Sequence, residues 1–155
     1  MNNKIKIVLP ATTERVAKNT CSKVNDEIRN RTIQRLNFYR NCCNKTLTQR
    51  INELNHEWDT ERVIETNAAS IIFLSSMIGY KKTKCCCFFM TGTIGFFLLQ
   101  HALQGWCPSL PVIRKLGIRT EAEIHNEISA LKCIRGDFMH NTKDADEMLA
   151  AAEKK

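Results

Sequence analysis

The sequence predicts an all-α membrane protein: a transmembrane helical hairpin with amphipathic helices on both flanks. Three observations predict it. Residues Asn67 to Ile113 hold only three charges, all in the knot Lys81-Lys82-Thr83-Lys84. The chain on either side of that knot is apolar and small, AASIIFLSSMIGY before it and CCCFFMTGTIGFFLLQHALQGW after it. Outside this stretch, apolar residues recur at helical spacing along otherwise polar segments.

The second apolar segment is the stronger of the two. Cys85 to Trp106 is 22 residues without a formal charge; as a helix it is about 33 Å long, enough for a hydrocarbon core of roughly 30 Å. Asn67 to Tyr80 offers 14 uncharged residues, about 21 Å, so spanning requires it to recruit Val63 and Ile64. Both segments are apolar around most of their circumference, and the flanks are too polar to cover them on all sides as a soluble core would need. Small residues (Ala68, Ala69, Ser70, Ser75, Ser76, Gly79) allow a second helix to approach the first segment, and Gly92 and Gly95 smooth one face of the second.

The remaining elements follow in chain order. Residues 1–19 are a polar lead-in, expected to be loosely ordered. Residues 20–60 carry the N-terminal amphipathic helices. Val24, Ile28 and Leu36 share a face of the first, which is expected to end around Asn41 to Asn44. Thr46 is expected to cap the next, along which Leu47, Ile51, Leu54 and Trp58 form an apolar stripe. Asp59 and Thr60 can cap the hairpin, which occupies 61–106 with its turn at 81–84. Gly105 ends the second span, and Pro108 and Pro111 prevent its resumption. Within 107–138, an interfacial turn lays Leu110, Val112, Ile113 and Leu116 flat against an apolar surface. Thr120 and Glu123 then form a capping box for a helix running to about Arg135, closed by Gly136. Residues 139–155 are a polar tail.

Composition narrows the partners. The net charge is +7, yet no run of five or six basic residues occurs and no basic face is interleaved with aromatics, so no nucleic acid is expected and the lipid bilayer is. Candidates for the membrane interface are Trp58, Lys81, Lys82, Lys84, Arg114 and Lys115; an indole ring favours the headgroup zone, and Arg114 and Lys115 are placed for lipid phosphates. Arg50, Arg62, Arg114, Lys115 and Arg119 flank the spans against three lysines in the turn, which favours cytoplasmic termini. Eight cysteines are present without a signal peptide or ligand spacing, so they suit small, semi-apolar fillers in a reducing compartment better than disulfides or a metal site. No cofactor is expected. Gln100, His101 and Gln104 near the end of the second span are expected to make interfacial or interhelical hydrogen bonds.

The chain resembles the YgaP-like inner-membrane family, small bacterial two-helix transmembrane domains of unknown molecular function. The residues that carry the resemblance are Gly105-Trp106-Cys107-Pro108 after the glycine-bearing apolar helix, then Leu110-Pro111 and Arg114-Lys115-Leu116-Gly117. Trp58-Asp59, Glu61-Arg62 and Glu65-Thr66-Asn67 upstream, and Ile118-Arg119-Thr120, Ala130-Leu131-Lys132 and Arg135-Gly136-Asp137-Phe138 downstream, fit the same pattern. The resemblance implies a multi-pass protein of the bacterial inner membrane that self-associates as a homo-oligomer. Some relatives carry the hairpin fused to a rhodanese-type sulfurtransferase domain. The 66 residues before Asn67 cannot house one, so that sulfur chemistry is not expected to transfer.

Three functions remain in view. The leading expectation is a self-associating membrane module without enzymatic activity. The first alternative is a thiol-dependent redox or sulfur-handling protein using Cys107. It is disfavoured because a helix C-terminus raises a thiol pKa and no neighbouring histidine in sequence is an obvious base. The second alternative, an oligomeric conduit for a small solute, is disfavoured by the lack of acidic and basic residues inside the spans.

Overall fold

The computed structural model of the chain describes residues 9–82, 85–138, 148–149 and 152–153, and every regular element among them is helical. In order these are α1 (Arg15–Lys18), α2 (Ser22–Tyr39), α3 (Asn44–Asn55), α4 (Thr60–Lys82), α5 (Cys85–Gln104), α6 (Leu110–Lys115) and α7 (Glu121–Arg135). They divide into two compact units, one formed by Met1–Asn25 with Thr60–Ile118 and the other by Asp26–Asp59 with Arg119–Lys155.

The first unit is organised by α4 and α5, which pack antiparallel. Near the connection, a Cβ added to Gly79 would stand 3.1 Å from Cys87 Cβ, so glycine is what lets the helices close there. Further along, Ser75 and Thr91 join the helices through their hydroxyls at 3.1 Å. Each hydroxyl also bonds a carbonyl of its own helix, Ser75 to Ile71 at 2.5 Å and Thr91 to Cys87 at 3.0 Å, so no buried hydroxyl is left wanting. At the other end Glu61 meets His101. The outward faces keep Phe73, Leu74, Phe88, Phe89, Phe96 and Leu99 exposed, and within the apolar stretch Cys86–Gln104 only 6% is buried by the chain itself. An apolar surface of that extent is unfavourable in water and costs nothing in hydrocarbon.

A small core closes the polar end of this unit. Val16, Ile64, Cys107, Leu110 and Ile113 are buried together, with Val63, Leu98 and Ile118 against them. Two expectations are corrected here. The lead-in is ordered from Ala11 into α1, because Val16 is held in that core, whereas residues 1–8 lie outside the described residues. The segment after the second span is not a flat strip but the short helix α6, since Pro111 sits in its first turn, where its missing N–H is not needed. Leu110 and Ile113 consequently point inward, while Val112 and Leu116 are exposed.

The second unit packs α3 against α7. Leu47, Ile51 and Leu54 from α3 meet Ile124, Ile128 and Leu131 from α7, with Leu36 and Tyr39 of α2 beside them. The i, i+4, i+7 spacing on α3 places its three side chains on one face, and burying each such residue contributes about 1.5–3 kcal/mol. Cys43, not Thr46, holds the N-cap position of α3; Thr46 lies within its first turn and bonds the Cys43 thiol at 3.3 Å. The capping box at Thr120 and Glu123 is formed, with Glu123 N donating to Thr120 Oγ1 at 3.2 Å and Thr120 N to Glu123 Oε2 at 2.9 Å. Gly136 closes α7 in the left-handed region, at φ 87°.

Candidate functional site

The polar end of the first unit gathers charged and nucleophilic side chains from four places in the sequence. Gly105 begins the arrangement. Its φ of 76° is one that a side chain disfavours, and a Cβ there would lie 2.5 Å from the Arg15 carbonyl carbon. The glycine therefore both turns the chain out of α5 and lets α1 lie directly on that turn. Carbonyls at a helix C-terminus lack intrahelical donors, and α1 with its C-cap residue supplies two. Arg15 Nη1 donates to Ala102 O, and Asn19 Nδ2 donates to Gln104 O at 2.8 Å. A cation at this end also complements the helix dipole.

Arg15 continues into an ion pair, its Nη2 lying 3.0 Å from Glu61 Oε1. The second Glu61 oxygen, Oε2, is 2.7 Å from His101 Nε2. His101 is 3% exposed, and its other nitrogen, Nδ1, is buried with no hydrogen-bond partner among the described residues. The turn at Gly105 brings Cys107 beside this imidazole, close enough for the two groups to interact electrostatically. The Cys107 sulfur is 3.3 Å from Ser109 Oγ, and the Cys107 carbonyl accepts from Leu110 N at 3.1 Å. Burial pushes the Cys107 thiol up, but the His101 and Ser109 side chains and the imidazole charge outweigh it, so the thiol sits below its ordinary value. Arg15, Glu61 and His101 thus form a continuous relay along the polar end of the two apolar helices.

The sequence-predicted residues fall unevenly around this relay. Gly105, Trp106, Cys107 and Pro108 form the turn that builds it, with Trp106 and Pro108 exposed and Cys107 buried. Arg114, expected at lipid phosphates, is corrected: it is 1% exposed and donates to Ile118 O and Asn25 Oδ1, each at 3.0 Å. Four residues after Leu110 on a short helix, it shares the inward face. Lys115 beside it is exposed, as is Trp58, which lies beyond the end of α3. The backbones of Lys81 and Lys82 close α4, shortening the expected turn. Their side chains and all of Lys84 lie outside the described residues. The interhelical hydrogen bond expected of His101 is formed, to Glu61. Sequence reasoning missed Arg15 and Glu61, because the pairings reach across 40 residues from Glu61 to His101 and 87 from Arg15 to Ala102. No local pattern signals such pairings.

Two helices long and apolar enough to cross a membrane, their outer faces left uncovered and their charges kept to the ends, define a helical membrane protein. Residues 59–123 match the family model described as inner membrane protein YgaP-like, transmembrane domain, and over this stretch the chain is similar to that domain. The match takes in α4, α5, α6 and the opening of α7, and with them Glu61, His101 and Cys107, while Arg15 lies outside it. No curated protein matches the chain, and no solved structure does.

Proposed function

We propose that the chain is a self-associating module of the bacterial inner membrane, in which α4 and α5 both cross the bilayer and both polar flanks lie on the cytoplasmic side. The observation that carries this reading is the apolar surface of the two helices that the chain leaves uncovered. Supporting the shared side, α1 bonds at once to the start of α4 and the end of α5. Supporting self-association, a Cβ added at Gly92 or Gly95 meets nothing within 4 Å, and Gly92 lines a shallow depression with Phe89, Thr93, Phe96 and Phe97. A small-residue surface facing away from α4 lets the helix of a second copy approach closely. The module requires no turnover to serve as a scaffold.

Alkaline carbonate extraction and cross-linking in lipid test this together. The protein is expected in the membrane pellet and as an oligomer, and Gly92→Leu should leave it folded in the membrane but monomeric. Release by carbonate overturns the spanning, and a monomer at every protein-to-lipid ratio overturns self-association. Reporter fusions at the C-terminus that are active only outside the cytoplasm would reverse the orientation.

A further inference from the structure

We propose that α6 is an interfacial helix whose outward face, Pro111, Val112, Lys115 and Leu116, lies at the headgroup–acyl boundary of the phospholipid leaflet that α4 and α5 enter. The inference rests on the reading that those two helices cross the bilayer, and it does not depend on self-association. It begins from how the side chains of α6 divide. Leu110, Ile113 and Arg114 stand at i, i+3 and i+4 and turn into the core, Leu110 at 0% exposed and Arg114 at 1%. Arg114 donates there to Ile118 O and Asn25 Oδ1. The other side carries Pro111, Val112, Lys115 and Leu116, all exposed, Val112 at 60% and Leu116 at 73%. A helix facing water divides the other way. Thus α3 buries Leu47, Ile51 and Leu54 and leaves Lys45, Gln49, Asn52 and Glu53 outside. In α6 the guanidinium is hidden and aliphatic side chains are shown, which is unfavourable against water and favourable against lipid.

The height of α6 along the spans decides which layer of the lipid covers it. Its buried residues share one core with Val63 and Ile64 of α4 and Leu98 of α5. Leu98 lies about 9 Å before the Gln104 end of α5, and Ile64 is followed directly by the exposed Glu65. The short helix therefore lies beside the last turns of α5 rather than beyond them, where α4 exchanges charged residues for apolar ones. Interfacial helices bury their apolar side about 5–10 Å into the boundary between headgroups and acyl chains, which is the same depth. Leu99 of α5, next to Leu98, is exposed as well, so the uncovered surface of the spans continues at the height of α6. Lys115 shares the outward face; its stem can lie along the apolar patch while its ammonium reaches lipid phosphates. Trp106, exposed on the turn leading into α6, carries a ring that favours the same zone.

The test is tryptophan quenching in vesicles of phosphatidylcholine and phosphatidylglycerol whose acyl chains carry bromine either near the headgroup or near the chain end. The chain has two tryptophans, so Trp58→Phe leaves the native Trp106 as the sole indole and alters nothing on α6. Adding Trp106→Phe gives a background in which Val112→Trp, Leu116→Trp or Phe96→Trp supplies a single probe at an exposed site. Trp106, Val112→Trp and Leu116→Trp should each be quenched about twofold more by the shallow bromine than by the deep one. Phe96→Trp, within the span, should show the reverse order. Unchanged helicity by circular dichroism identifies the folded variants, and Trp106 reads the interface even where a substituted α6 fails to fold. Water-like, unquenched emission at Val112→Trp, Leu116→Trp or Trp106, with Phe96→Trp quenched, overturns the interfacial helix and leaves the spans intact. Blue-shifted emission on α6 that neither bromine quenches means that protein covers the face, and overturns it too. Phe96→Trp left unquenched removes the spanning reading, and the proposal falls with it.

Discussion

Glu127 is the deepest charge in the second unit, and Glu127→Gln should destabilise that unit by about 3 kcal/mol. Its side chain is 0% exposed. It accepts from Arg119 and, at 3.2 Å each, from Arg35 and Arg50. Removing one partner of a buried ion pair costs about 3–5 kcal/mol, because the other charge stays desolvated. The lower end applies here. The side chains of Arg35 and Arg50 are 35% and 17% exposed and have solvent within reach, and Arg119 keeps Glu57 at 2.8 and 2.6 Å. Hydrogen exchange reads the effect: a loss of about 3 kcal/mol corresponds to exchange faster by about a hundredfold at the core amides of Ile128 and Leu131. A pH series gives a second arm. Burial pushes the Glu127 carboxyl up, but Arg119, Arg35 and Arg50 outweigh it and hold it below the usual range. A carboxylate depressed in the folded state stabilises above its unfolded pKa of about 4.3, and that stability is lost as pH falls through the folded value. The native unit should therefore lose protection on acidification below about pH 4, and the Glu127→Gln unit should lose less. Exchange within about threefold of the native rates at neutral pH, equivalent to less than about 1 kcal/mol, would refute the view that this carboxylate holds the three arginines together.

Three further substitutions probe the helices and the turn that builds the relay. Ile51→Ala, at a position that is 0% exposed, should cost about 2–5 kcal/mol as a cavity between α3 and α7, seen as a lower unfolding midpoint by circular dichroism. Thr120→Ala removes the side-chain acceptor of the capping box and should cost about 1 kcal/mol, read as faster exchange in the first turn of α7. Gly105→Ala combines a φ of 76° with a Cβ 2.5 Å from the Arg15 backbone. The backbone conformation alone costs about 1–2 kcal/mol, and the clash should lift α1 from the end of α5, exposing Arg15 to trypsin.

Patterns of period and composition determined the helical class by themselves. The uncharged run from Cys85 to Trp106, the stripe Leu47, Ile51, Leu54 and the capping box at Thr120 and Glu123 each act over a few residues, so each is written where it acts. Helix ends were less certain wherever a side chain had two places to go. Thr46 has the chemistry of a cap but lies in the first turn of α3, and Pro111 starts a helix rather than blocking one. Tertiary structure alone decided which charges are buried and what they meet. Arg114 looks like a phosphate ligand in sequence and is an inward clamp in the fold. Glu61, His101 and Cys107 become neighbours only because α4 and α5 run antiparallel and Gly105 turns the chain back, with Arg15 reaching in from α1. A relay of that kind depends on distances of a few ångströms between residues far apart in the chain. Helical periodicity carries no information about such distances until the helices are paired.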